Sequence, residues 1–145
     1  MAMPDLNKVR AVFHEKLQTL TGIPTEARIW KENKTFTPPV KGTLWLRERL
    51  IPTAEAKVAT KTAHAIGIIQ YDVVHGFDQG VDSAETLAKT IAEGFEHGTD
   101  INSQGITVHI DRAQRAFGRI PLGEEGHWWF IPVSIYWRTY ATTAA

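Results

Sequence analysis

Trp128-Trp-Phe-Ile-Pro-Val-Ser-Ile-Tyr-Trp137 is the stretch that decides the fold class. Side chains of a strand alternate between two faces. Trp129, Ile131, Val133, Ile135 and Trp137 therefore form one unbroken apolar face. Trp128, Phe130, Pro132, Ser134 and Tyr136 form the other. Such a run predicts a strand of a sheet whose first face is covered. Pro132 predicts an edge position or a bulge, because proline cannot donate to a ladder.

Working back from that strand, Gly105 to Ala116 predicts another. Ile106, Val108 and Ile110 face one way, and Thr107, His109 and Asp111 the other. Leu122 to Gly126 reads as a turn between the two. Asp82 or Ser83 caps a helix reaching about Phe95, with Leu87, Ile91 and Phe95 on a stripe flanked by Ala84, Ala88 and Ala92. Ala63 to Val74 is apolar on both faces and predicts a central strand. Thr43 to Ile51 predicts a strand with Leu44, Leu46, Glu48 and Leu50 on one face and Trp45, Arg47, Arg49 and Ile51 on the other. The polar stretch Pro52 to Thr62 reads as a loop or a strand extension, and Arg28 to Lys31 as a short strand. Pro4 to Leu20 predicts an amphipathic helix on the stripe Leu6, Val9, Phe13, Leu17 and Leu20, with Gly22 and Pro24 ending it. The order is α β β β α β β. The predicted fold is an α+β domain: a mostly antiparallel, mixed sheet of five strands with two helices packed on one face. A single domain spans 1–145, with Ala141 to Ala145 as a frayed tail.

Composition excludes whole classes of function. The chain has 145 residues, no cysteine, and 16 basic against 16 acidic side chains, so its formal net charge is zero. Without cysteine there is no disulfide framework, no thiolate metal site and no cysteine nucleophile. Without a basic excess, bulk attraction to nucleic acid or anionic lipid is not indicated. No apolar run approaches the ~20 residues of a membrane-spanning helix. The charged N-terminal residues do not read as a signal peptide.

Chemistry has few candidates. His75, Asp78 and Asp82 fall in or beside one loop, His97 and Asp100 follow the second helix, and His109 and Asp111 share a strand face. These residue types could ligate a metal, but no spacing matches a specific motif. Glu124 and Glu125 sit in a glycine-flanked turn, and Glu85, Glu93 and Glu96 on the outer side of the second helix. None is placed in an evident cleft, as acid–base work requires. Lys41, Arg47, Arg49, Lys57 and Lys61, near Phe36 and Trp45, could bind nucleic acid, but a charged projection contacting protein or water explains them better. The aromatics say more. With both helices on one sheet face, Trp128, Phe130 and Tyr136 form an aromatic patch on the open face, the mark of a protein interface.

Trp30-Lys-Glu-Asn33, Phe36-Thr-Pro38 and Gly42-Thr-Leu-Trp-Leu-Arg-Glu-Arg-Leu-Ile-Pro52 resemble a pattern of small tailed-phage proteins. So do Gly67-Ile-Ile-Gln-Tyr-Asp-Val-Val74 and the final tryptophan-rich strand. The chain is similar to the lambda-type tail terminator family, also called tail completion or minor tail proteins. Lys31, Glu32 and the second proline of Pro38–Pro39 depart from the pattern within one loop. The resemblance implies a non-enzymatic virion protein with no catalytic residue, cofactor or metal. It implies a ring, hexameric, on the end of the tail tube, made in the cytoplasm of the bacterial host. That ring stops tube polymerisation and offers the joining surface for the head. Its partners are copies of itself, the tail-tube protein and a head-completion or connector protein, and DNA passes its lumen without specific binding. Phe36, Pro38, Pro39, Trp45, Arg47, Arg49, Trp128, Phe130 and Tyr136 are the expected contact residues, with Arg47 and Arg49 pairing to acids such as Glu93 or Glu96 of a neighbour. The alternatives are another neck or minor tail protein of the same fold, or a small metal-dependent enzyme.

Overall fold

The structure, a computed structural model, describes residues 4–25, 29–31, 37, 43–59, 62–76, 82–116, 120–122 and 128–142. Among them the order is α1 (Leu6–Gln18), β1 (Ile29–Lys31), β2 (Trp45–Ala59), β3 (Thr62–Gly76), α2 (Asp82–Gly94), β4 (Asp100–Ser103), β5 (Ile106–Arg115), β6 (Ile120–Leu122) and β7 (Trp128–Thr142). One sheet runs β1-β2-β3-β7-β5-β4, with β6 also pairing to β7. Its pairs are antiparallel except β1 with β2. The α+β class holds, but among the described residues the sheet has seven strands, not the expected five.

The two additional strands are short. β4 is Asp-Ile-Asn-Ser, joined to β5 by Gln104 (φ 56°) and Gly105 (φ 75°). Two successive positive φ values make the tight turn whose twist suits a hairpin. β6 holds three residues, one of them Pro121, against Phe130, Trp129 and Trp128. The stretch from Pro52 onward proves to be strand, with a register shift between Pro52 and Ala54. β7 likewise continues through Ala141 and Thr142, which the sequence placed in a frayed tail.

Pro132 is neither on an edge strand nor at a bulge. β7 lies between β3 and β5, and Pro132 stands opposite Asp72 of β3. On its other side β5 pairs as far as Val133 and β6 begins at Phe130, so Pro132 falls at the junction of the two. Its carbonyl accepts a bond from the Ala116 N–H (3.0 Å). A residue without an N–H is tolerated where the ladder is interrupted.

Both helices cover one face. α1 starts at Asp5, whose carboxylate caps the N–H groups of Asn7 (2.9 Å) and Lys8 (3.4 Å). It buries Val9, Val12, Phe13 and Leu17. α2 buries Ala84, Leu87, Ala88 and Ile91, and Phe95 follows at its end. Phe13 meets Phe95 (centroids 5.5 Å) and Trp137 (6.4 Å), and Phe95 stacks on Tyr71. These join Leu46, Leu50, Ile69, Val73 and the buried face of β7 in one core. Each such large side chain contributes about 1.5–3 kcal/mol when fully buried. Gly67 permits a close approach of an indole ring and a backbone carbonyl. A Cβ there would stand 2.7 Å from Trp137 Cζ2 and 2.8 Å from the Ile51 carbonyl oxygen.

Candidate functional site

The sheet face away from the helices assembles the candidate site. Register places Trp45 beside Val74 and Phe130, and Arg47 beside Asp72 and Pro132. It places Arg49 beside Gln70 and Ser134, and Ile51 beside Ile68 and Tyr136. Trp128 stands opposite Gly76, and Arg112 of β5 opposite Tyr136. Trp45, Arg47, Arg49, Trp128, Phe130 and Tyr136, which the sequence predicted as contact residues, therefore share one face. Phe36, Pro38 and Pro39 lie outside the described residues.

At the centre is Asp72, fully buried. Arg47 donates to its Oδ2 from Nε and Nη2, both at 2.7 Å. Arg49 Nη2 donates to the same oxygen at 3.3 Å, and Gln70 Nε2 donates to Oδ1 at 2.7 Å. One carboxylate thus holds two guanidinium groups, and the cluster keeps a positive charge. Charge-assisted bonds of this kind are roughly twice as strong as neutral ones. The two arginines are accordingly engaged by an acid of their own chain. Both side chains stay partly accessible, at 20% for Arg47 and 36% for Arg49.

The aromatics on this face are not bare. Arg47 lies over the Phe130 ring, 5.0 Å from its centroid, and Arg112 over Tyr136 at 4.1 Å. Trp45 is buried, edge-on to Trp128 with centroids 5.9 Å apart. Trp128, Phe130 and Tyr136 are half-buried, so the open aromatic patch expected from the sequence is instead a guanidinium-covered one. Arg138 also lies on this face and pairs with Asp111 at 3.3 Å. Sequence reasoning missed Gln70, Asp72 and Arg112. The signal for the first two was there: two polar residues, two apart, in the most apolar strand of the chain.

The residues considered for metal chemistry separate. His75 is buried on the helix side of β3, opposite Trp129. Asp82 opens α2, and the β4–β5 end gathers His97, Asp100, His109 and Asp111. His109 Nδ1 is 2.6 Å from Asp100 and its Nε2 3.7 Å from Asp111, while His97 Nδ1 meets the Asp111 carbonyl oxygen. Among the described residues no three His, Asp or Glu side chains form a group fit to hold a metal ion. Asp78, Lys61, Glu124 and Glu125 lie outside the described residues. No described helix is long and apolar enough to cross a membrane.

Glu48 is a buried carboxyl under the helices, and the Tyr71 hydroxyl donates to it at 2.8 Å. Burial pushes the Glu48 carboxyl above the usual range, opposed by the Tyr71 bond and by Lys31, His14 and Arg10. Burial and the Glu48 charge push Tyr71 well above its ordinary value. This pair braces the core and is remote in role from the open face.

The family described as Phage tail terminator protein matches residues 8–137. Among solved structures, one known only by an identifier superposes with a TM-score of 0.69 at 22% identity, covering 97% of this chain and 99% of the other. A chain of the virion of a native gene transfer agent particle superposes with a TM-score of 0.61 at 15% identity, over 92% and 95%. At these identities the two structures share the fold. No curated protein matches the chain.

Proposed function

The chain belongs to the phage tail terminator family, a family of virion structural proteins, and from that premise we propose that it closes the end of a phage or prophage tail tube as a ring. The family match from residue 8 to 137 carries this reading, because it spans both helices and the sheet to Trp137. In it the ring has six copies, stops tube polymerisation and presents the surface that a head-completion or connector protein joins. DNA crosses its lumen without specific binding, and assembly takes place in the host cytoplasm. A ring needs two different complementary patches on each subunit, and it needs no cofactor or cleft. The open sheet face, broad and lined by arginines over aromatics, suits one such patch, since Arg and aromatics are enriched where proteins meet.

Deletion of the gene from its phage or prophage, followed by electron microscopy of the tails, tests the proposal. The expected result is tubes of uncontrolled length without heads, restored to one length by the gene in trans. Tails of normal length that lack heads would overturn termination and favour another neck protein of the same fold. Normal, headed tails would overturn both.

A further inference from the structure

Beyond the ring reading, and resting on it, the partner of the open sheet face is readable from charge. The described part of that face carries Arg47, Arg49, Arg112 and Arg138 against Asp72, Asp111 and, at its β4 edge, Asp100. α2, on the opposite side of the sheet, turns outward a stripe of Asp82, Glu85, Lys89, Glu93 and, just past its end, Glu96. All five are exposed, and their spacings of three and four put them on one line. The α2 stripe is locally acidic, four carboxylates against Lys89, which pairs with Glu93 at 3.8 Å, and the open face is locally rich in arginine.

We propose that the outer stripe of α2 in one copy of this chain docks on the arginine face of the next. The dimensions agree. Arg49 and Arg112 are three strands apart and about two residues offset, roughly 16 Å at ordinary sheet spacings. Glu85 and Glu93 are about 12 Å apart along a helix, and Glu96 carries the stripe to about 16 Å. The receiving groups have capacity. Arg49 makes a single bond to Asp72 with its side chain 36% exposed, and Arg112 is exposed over Tyr136. The two surfaces lie on opposite sides of a two-layer molecule. Their contact is therefore head-to-tail and leaves a free copy of each surface at either end, which a ring resolves by closing. The same contact between two molecules alone cannot satisfy both surfaces at once.

Two exposed substitutions test this: Arg112→Glu and Glu93→Lys. Assembly is followed by native mass spectrometry across a protein concentration series, with folding of each variant checked by circular dichroism. The wild type is expected to assemble, less at high salt, since exposed charge pairs are screened. Each single variant is expected to need at least about tenfold more protein to assemble, because like charges then face each other. An equimolar mixture of the two variants is expected to recover, since alternating copies restore an attractive pair at every contact. Wild-type assembly that neither variant changes would overturn the docking while leaving the ring reading intact. Loss in both variants without recovery on mixing would also overturn it. A wild type that stays monomeric at every concentration would overturn self-docking, and the tail-length experiment above would then judge the terminator reading by itself. Binding of the arginine face to a tail protein, unaffected by Glu93→Lys, would assign the face to that partner instead.

Discussion

Glu48 and Gly67 show how much of this fold rests on single positions. Glu48 puts a carboxyl among buried leucines, where the Tyr71 hydroxyl donates to it at 2.8 Å. Burial raises its pKa in the folded chain. The contribution of this carboxyl to stability is therefore complete below the unfolded value of about 4.3, and is lost as pH rises through the raised folded value. Glu48→Gln keeps an acceptor for Tyr71 and removes the titration. Urea unfolding at pH 4.5 and at pH 7.5 should show the variant gaining on the wild type at the higher pH, by about 1.4 kcal/mol for each unit of elevation. Gly67 is required by space, not by its own torsion angles. A Cβ there meets the Trp137 ring and the backbone oxygen of Ile51, both closer than 3 Å. Because the backbone cannot yield as a flexible side chain does, Gly67→Ala should cost about 1–3 kcal/mol in urea unfolding, the usual penalty of overpacking.

Among the elements, α1 depends on its first cap. The two N–H groups held by Asp5 have no partners within the helix. Asp5→Ala should lower stability by about 1 kcal/mol, read as a lower urea midpoint with unchanged slope. Elements with an apolar period were legible in the sequence, and short polar ones were not. The stripe Val9, Phe13, Leu17 and the alternation from Trp129 to Trp137 gave α1 and β7 directly. β4 offers one apolar residue in four, and its turn uses Gln-Gly where Asn-Gly would have announced a hairpin. β6 is three residues around a proline, and only the neighbouring β7 makes it a strand. Pro132 misled because proline in a strand signals an edge, whereas here it sits at a seam between two partner strands. The site was legible as a face and not as a network. Arg47 and Arg49 declare their side of β2, but that Asp72 lies beside them follows from β2–β3 register, which spans 25 residues of sequence.

The whole molecule is a neutral chain with a local arginine cluster and a local acidic stripe, and its assembly should be legible in its melting. A chain stabilised by neighbours gains stability by mass action. The melting temperature of the wild type should rise with protein concentration across the assembly range, and that of Arg112→Glu should stay flat. Differential scanning fluorimetry over a hundredfold dilution series reads the difference. The tryptophans give the two layers separate optical signatures. Trp45 and Trp128 meet edge-on in the arginine layer, while Trp137 is enclosed with Phe13 in the helix layer. Two indoles at 5.9 Å are near enough for their excited states to mix. The protein thus carries an indole pair on the arginine face, where a neighbour would land, and in Trp137 an indole enclosed in the core, which unfolding exposes. Docking and denaturation should write different spectra from the same unlabelled chain.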